Sequence, residues 1–152
     1  MTGQLKALAM VVALATATAC GDASSPTEVL TPPEATAQAA KPSSSLTFSS
    51  TRSYDTRQSQ TATGTIGAIN FTGSVTTSNP CFDVTASHGQ QQNTITLTVT
   101  AAYNGNICTQ VITHHNYQGA VSGLASGTYT FNVVHNVGGT TTTAYSGSVL
   151  VL

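Results

Sequence analysis

The chain has no tryptophan, and charged side chains make up only 6% of its 152 residues. Its formal net charge is -1, from four Lys and Arg against five Asp and Glu. Binding nucleic acid by phosphate neutralisation needs a dense basic face, which four scattered cations do not make. Between Val84 and Leu152 there is no Asp, Glu, Lys or Arg at all. Hydrolysis by a carboxylate pair needs two acids, and the second half of the chain can draw only on Asp55 and Asp83. A nucleophile elbow is also missing: Ser146, for example, has Ala144 and Ser148 where the Gly-x-Ser-x-Gly motif needs its glycines. Val137-Gly138-Gly139 precedes no helical pattern, so it reads as a hairpin turn and not a phosphate loop. These absences predict a protein that is not an enzyme and carries no cofactor.

What is present is polar but uncharged. Thr, Ser, Asn and Gln dominate the second half and must supply its solubility. Thr combines strand propensity with a polar tip, which suits the solvated face of a sheet. A Thr-rich, Lys-poor composition predicts an exported β-protein. The length allows one domain with additional segments.

The start of the chain agrees with export. Lys6 is the only charge in the first 19 residues, and an apolar run follows from Ala7 to Ala15. The run is too short for a membrane-spanning helix, which needs about 20 residues. A basic start, a short apolar core and the small residues Ala17-Thr18-Ala19 describe a secretory signal peptide over residues 1–19. Ala17-Thr18-Ala19-Cys20 resembles the lipobox of bacterial lipoproteins. That resemblance implies acylation of Cys20 and a lipid anchor in the cell envelope, on its periplasmic face or at the cell surface. It departs from the usual pattern at Ala17, where the family carries Leu. Ala17-x-Ala19 also satisfies ordinary signal peptidase, which would leave a secreted protein instead.

Residues 20–45 hold four of the five prolines, Pro26, Pro32, Pro33 and Pro42, among Ala, Ser and Thr without periodicity. This composition predicts a disordered tether, spanning on the order of 28 Å as a flexible coil. From residue 46 to 152 strand signals recur. Ile95, Leu97, Val99 and Ala101 alternate with Thr94, Thr96, Thr98 and Thr100. Ile69, Phe71 and Val75 share one parity, and Gly67 and Gly73 suggest a bent strand or loose hairpin over residues 63–77. Asn104-Gly105 is hairpin chemistry. A strand is expected over residues 108–117, with a bulge or burial on both faces to reconcile the adjacent Val111 and Ile112. Tyr129, Phe131 and Val133 alternate with Thr130, Asn132 and Val134, one strand with one buried face.

Leu124, a small-residue turn closed by Gly127, and a strand that opens with Tyr129 resemble the tyrosine corner of immunoglobulin-like and fibronectin type III-like sandwiches. The resemblance implies that the Tyr129 ring packs in the core and its hydroxyl bonds back to the upstream backbone. The expected architecture is an all-β, immunoglobulin-like antiparallel sandwich of about seven strands.

Three cysteines leave one odd residue in an exported chain. With Cys20 acylated, Cys81 and Cys108 remain as a disulfide pair, worth about 3.5 kcal/mol by chain entropy. The histidines His114, His115 and His135 are weak metal candidates, because neighbours on a strand face opposite ways and no acid accompanies them. The expected role is a binding or structural module reaching a protein or glycan partner through loops such as 89–93 and 103–107, or equally through a strand edge, and not nucleic acid. Two alternatives stand beside it: a metal-binding or hydrolytic envelope domain using His114, His115 or His135, and an inhibitor of an envelope protease.

Overall fold

The computed structural model describes residues 43–152. The expected signal peptide, Cys20 and nearly all of the expected tether lie outside the described residues.

Alternating apolar and Thr/Ser positions across the chain produce eight strands. They are β1 (Ser45–Ser53), β2 (Thr61–Thr65), β3 (Ala68–Thr77), β4 (Phe82–Gln91), β5 (Thr94–Tyr103), β6 (Thr113–Ser122), β7 (Gly127–Val137) and β8 (Thr140–Val151). They form two four-stranded sheets, ordered β1-β6-β3-β2 and β4-β5-β7-β8. The domain is an all-β sandwich, with eight strands where about seven were expected. All pairs are antiparallel except β5 with β7, which is parallel. The immunoglobulin-like description therefore holds for the layering and not for the strand order, which in that family runs A-B-E-D over C-F-G.

Each strand turns its apolar parity into the space between the sheets. Ile69, Phe71 and Val75 of β3 meet Ile95, Leu97 and Val99 of β5, and Phe131 and Val133 of β7, all essentially inaccessible. Phe71 stacks on Phe131 with centroids 5.9 Å apart. The threonines of β5 point outward, as the alternation predicted. Tyr129 is buried, and its hydroxyl donates to the carbonyl of Ala125 at 3.0 Å. Leu124 is buried beside it, its N–H donating to Gly67 O at 3.0 Å, while Gly127 takes φ +148°.

Residues 63–77 form a hairpin that turns at Gly67, whose φ is +66°. Gly73 makes no bulge; the irregularity lies between Val133 and Val134 on β7. The stretch 108–112 is not a strand. Strand β6 starts at Thr113, so the adjacent Val111 and Ile112 need no bulge: both are exposed in a loop. Asn104-Gly105 does turn the chain, with Gly105 at φ +82°, but it joins two sheets and closes no hairpin.

Backbone bonds define the two ends of the sandwich. At one end Leu152 N–H donates to Thr65 O at 3.1 Å, and Gly67 N–H donates to Leu152 O at 3.2 Å. The chain enters the domain here, since Ser45 lies opposite Ser122, which lies opposite Ala68. At the other end are Thr77, Cys81, Tyr103, Thr113 and the Gly138-Gly139 turn, where Gly138 N–H reaches Ala101 O at 3.2 Å. Ten-residue strands separate the ends by about 30 Å.

Candidate functional site: a disulfide-braced loop

The connection from β5 to β6, residues 104–112, lies at the end remote from chain entry. Cys108 in this loop is disulfide-bonded to Cys81, with Cα atoms 5.9 Å apart. Cys81 precedes β4 by one residue and is itself anchored, its N–H donating to Asn79 Oδ1 at 2.9 Å and its carbonyl accepting Asn104 N–H at 3.0 Å. The Asn104 side chain organises the turn. Its Oδ1 accepts the backbone N–H of Asn106 at 3.2 Å and the Asn106 amide at 2.9 Å, while its Nδ2 donates to Asp83 Oδ1 at 3.3 Å. The Tyr103 hydroxyl donates to the carbonyl of Asn106, and its ring meets Phe82 edge-on at 5.8 Å. Further along, Thr113 Oγ1 donates to Val111 O at 3.0 Å.

This bracing holds apolar side chains in water. Ile107 is fully exposed and Ile112 is 63% exposed, with Tyr103 and Val111 beside them in the chain also open to solvent. A rigid loop that keeps apolar side chains in solvent suits recognition, because little order has to be imposed when a partner covers it. The other expected binding stretch, 89–93, is different. Gly89 to Gln91 belong to β4, and only Gln92 and Asn93 form the turn to β5. Asn93 is tied to β7 through Thr130 N–H at 2.8 Å and Thr128 O at 3.2 Å. The two stretches lie at opposite ends of β5 and cannot form one surface.

The histidines are dispersed. His114 faces outward and bonds Thr76 Oγ1 through Nδ1 at 2.9 Å. His115 faces inward, buried, with Nε2 at 3.1 Å from Thr77 Oγ1. His135 is buried on the opposite sheet against Tyr117, their rings edge-on at 5.8 Å. Among the described residues no group of three or more His, Cys, Asp or Glu side chains comes together.

A buried polar cluster that the sequence did not disclose holds His135. Strand β2 pairs with only half of β3, and the Gln60 side chain continues along the uncovered edge. Its Nε2 donates to Ser74 O at 3.3 Å, so its Oε1 accepts the Tyr117 hydroxyl at 2.8 Å. The Tyr117 hydroxyl also lies 2.8 Å from Nε2 of His135, which is 3.4 Å from Gln60 Nε2. Gly73 makes room for this arrangement: a Cβ there would lie 2.0 Å from Gln60 Oε1. No local pattern marks Gln60, because its role depends on strands distant in sequence.

Burial, with Arg57 adding to it, lowers the pKa of His135; burial and then Arg52 lower that of His115. Burial also pushes the Tyr117 phenol up to about 12, opposed by its bond to Gln60. Both histidines therefore bind protons more weakly in the folded chain than in the unfolded one. Their contribution to stability is full above the ordinary His pKa near 6.5 and is lost as pH falls below it. Urea midpoints should be flat from about pH 8 to about pH 7 and fall toward about pH 5. A His135→Gln variant should show a shallower fall. A midpoint that stayed level throughout would contradict the assignment.

Of the surface depressions elsewhere, one is lined by Arg57, Gln58, Ser59 and Gln60. The groove across β1, β6 and β3, about 480 Å³, is lined by Thr47, Ser49, Asn70, Thr72 and Gln118 among others, with no titratable group.

Comparison with known proteins bears on the sandwich itself. Residues 73–146 match the ORF11 beta-sandwich domain. The matched region runs from the middle of β3 into β8. It contains the braced loop, both bridging cysteines and the three candidate histidines, and it leaves out β1, β2 and Gln60. The chain is thus similar to that domain over the part that carries the loop. No curated protein and no solved structure matches the chain.

Proposed function

We propose that the protein is an exported, non-catalytic binding module, held at the cell envelope by a lipid on Cys20, that engages a protein partner through loop 104–112. The observation that carries this reading is the braced loop with Ile107 and Ile112 in water, at the end opposite chain entry. A tether attached at one end of a domain leaves the other end facing away from the membrane. Aliphatic side chains at a rigid tip suit a protein surface better than a glycan, whose hydroxyls need polar partners or aromatic faces. The disulfide fits an oxidising compartment outside the cytosol. The non-catalytic part is supported by the inward histidines, which bond to Thr77 and Tyr117 within the core.

Two measurements test the reading. The intact mass of membrane-extracted protein should show a lipid-sized increment on a chain starting at Cys20, absent from a Cys20→Ser variant. A photo-crosslinking residue placed at Ile107 in the native envelope should yield one discrete adduct, lost when Ile112→Asp is added. The same residue placed at Thr130, on the outer face of the second sheet, should yield none. An unmodified mass refutes the anchor, and equal labelling from both positions refutes the loop.

A further inference from the structure

The described residues contain only four charged side chains: Arg52, Asp55, Arg57 and Asp83. The topology gathers all four at the loop end. Arg52 lies opposite His115 near the end of β1, and Asp55 and Arg57 follow in the connection to β2. Asp83 lies opposite Ala102, next to the braced loop. The entry end, formed by residues 43–46, 65–68, 91–94, 122–127 and 148–152, has no charged side chain. It carries three exposed aliphatic ones instead: Ile66 at 86%, Leu150 at 59% and Leu152 at 64%. The backbone bonds of Leu152 to Thr65 and Gly67 set it directly against Ile66, and Leu150 lies two residues back on the same strand parity. Chain entry is at this same end, where Ser43 O and Ser44 Cα come within 3.6 Å of a Cβ built on Gly123.

We propose that this end, which carries no charged side chain, rests on a lipid bilayer, with Ile66, Leu150 and Leu152 entering the interfacial region. The inference builds on the lipid-anchored reading and adds an orientation to it. Three aliphatic side chains give only a weak contact alone, since apolar burial contributes about 25 cal/mol per Å². A tether of some two dozen residues makes that contact intramolecular and raises the local bilayer concentration to about the millimolar range, enough to populate it. The opposite arrangement would press two arginines and two aspartates toward hydrocarbon, at a desolvation cost that nothing there offsets. Seated in this way, the domain holds the braced loop about 30 Å from the surface, presented to whatever it binds.

The absence of tryptophan makes a direct test available. In residues 20–152 made without the leader, and therefore unacylated, Cys20 is the one free thiol once Cys81 and Cys108 are bridged, and it can be coupled to a maleimide-headgroup lipid in phosphatidylcholine and phosphatidylglycerol vesicles. The coupling supplies the anchor whether or not the cell acylates Cys20, so this outcome is separate from the intact mass. An Ile66→Trp variant and an Ile107→Trp variant each carry one reporter. With bromine-labelled acyl chains, Trp emission from Ile66→Trp should be quenched and blue-shifted, and that from Ile107→Trp should not change. Adding Leu150→Glu to Ile66→Trp should restore the emission. Unquenched Ile66→Trp, or equal quenching of both reporters, overturns the proposal. So does a blue shift of Ile66→Trp that grows with protein concentration without vesicles, which would mean that this end meets a second copy instead.

Discussion

Replacing Cys81 and Cys108 together with serine should lower the stability of the domain by about 3.5 kcal/mol. The bridge closes a loop between residues 27 apart, and that loop takes in all of β4 and β5. Without the bridge the unfolded chain regains the freedom that closure removed, while most native contacts persist. For a domain of this size each kcal/mol moves the melting temperature by about 4–8 °C, so a fall of about 14–28 °C is expected. The effect on the loop should be local as well. Asn104, Asn106 and Tyr103 brace the first half through hydrogen bonds, and the second half is held by the sulfur bridge at Cys108 together with the bonds from Val111 N–H to Thr109 O and from Thr113 Oγ1 to Val111 O. The amide hydrogen of Val111, bonded to Thr109 O at 3.0 Å, should exchange faster in the double variant at a temperature where the rest stays protected. The crosslink from Ile107 should weaken before the domain unfolds. A melting temperature lowered by less than about 5 °C would mean that native packing alone closes the β4–β5 loop.

Much of this architecture was legible in the sequence, and what was not has specific physical causes. Alternation over Thr94 to Ala101 and Tyr129 to Val134 marked strands with one buried face, because side chains on a strand alternate whatever its partners are. The pairing of Cys81 with Cys108 followed from setting Cys20 aside. Strand neighbours did not follow. Period two says that a face is buried but not against what, and β1 finds β6 across some seventy residues. The parallel contact of β5 with β7 is equally silent, since a Thr outer face looks the same beside either direction. Val111 and Ile112 misled in another way. An apolar pair in a strand-rich chain reads as buried, but these two lie in the loop between the bridge at Cys108 and the start of β6 and stay in water. The charge asymmetry was half visible: the sequence showed no charge after Asp83, but the fold alone puts Arg52, Asp55, Arg57 and Asp83 at one end.

The glycines inside strands were the hardest to read, and Gly119 carries the second large expectation. Gly inside a strand pattern suggests a bulge or a close backbone approach, and sequence cannot choose between them. Gly119 lies opposite Phe48 on β1 and Phe71 on β3, on the inward parity of β6. A Cβ there would lie 2.1 Å from the carbonyl oxygen of Thr47 and 2.7 Å from Phe71 Cζ. Neither neighbour can yield easily. The Thr47 carbonyl belongs to paired backbone, and the Phe71 ring is held between Tyr117 and Phe131. Gly119→Ala should therefore cost about 3 kcal/mol, the upper part of the range for overpacking, and shift the urea midpoint accordingly. Gly89→Ala is the matched control: it adds the same methyl to a strand where nothing lies within 4 Å. It should leave stability unchanged or raise it by up to about 1 kcal/mol by restricting the unfolded chain. If the two variants proved equally stable, β1 would have to slide away from β6 without penalty. That outcome would matter beyond packing, because β1 is the strand through which the tether joins the domain. A loose β1 could not sustain the proposed membrane-facing orientation, whereas a β1 locked over Gly119 holds chain entry at the end that carries Ile66, Leu150 and Leu152.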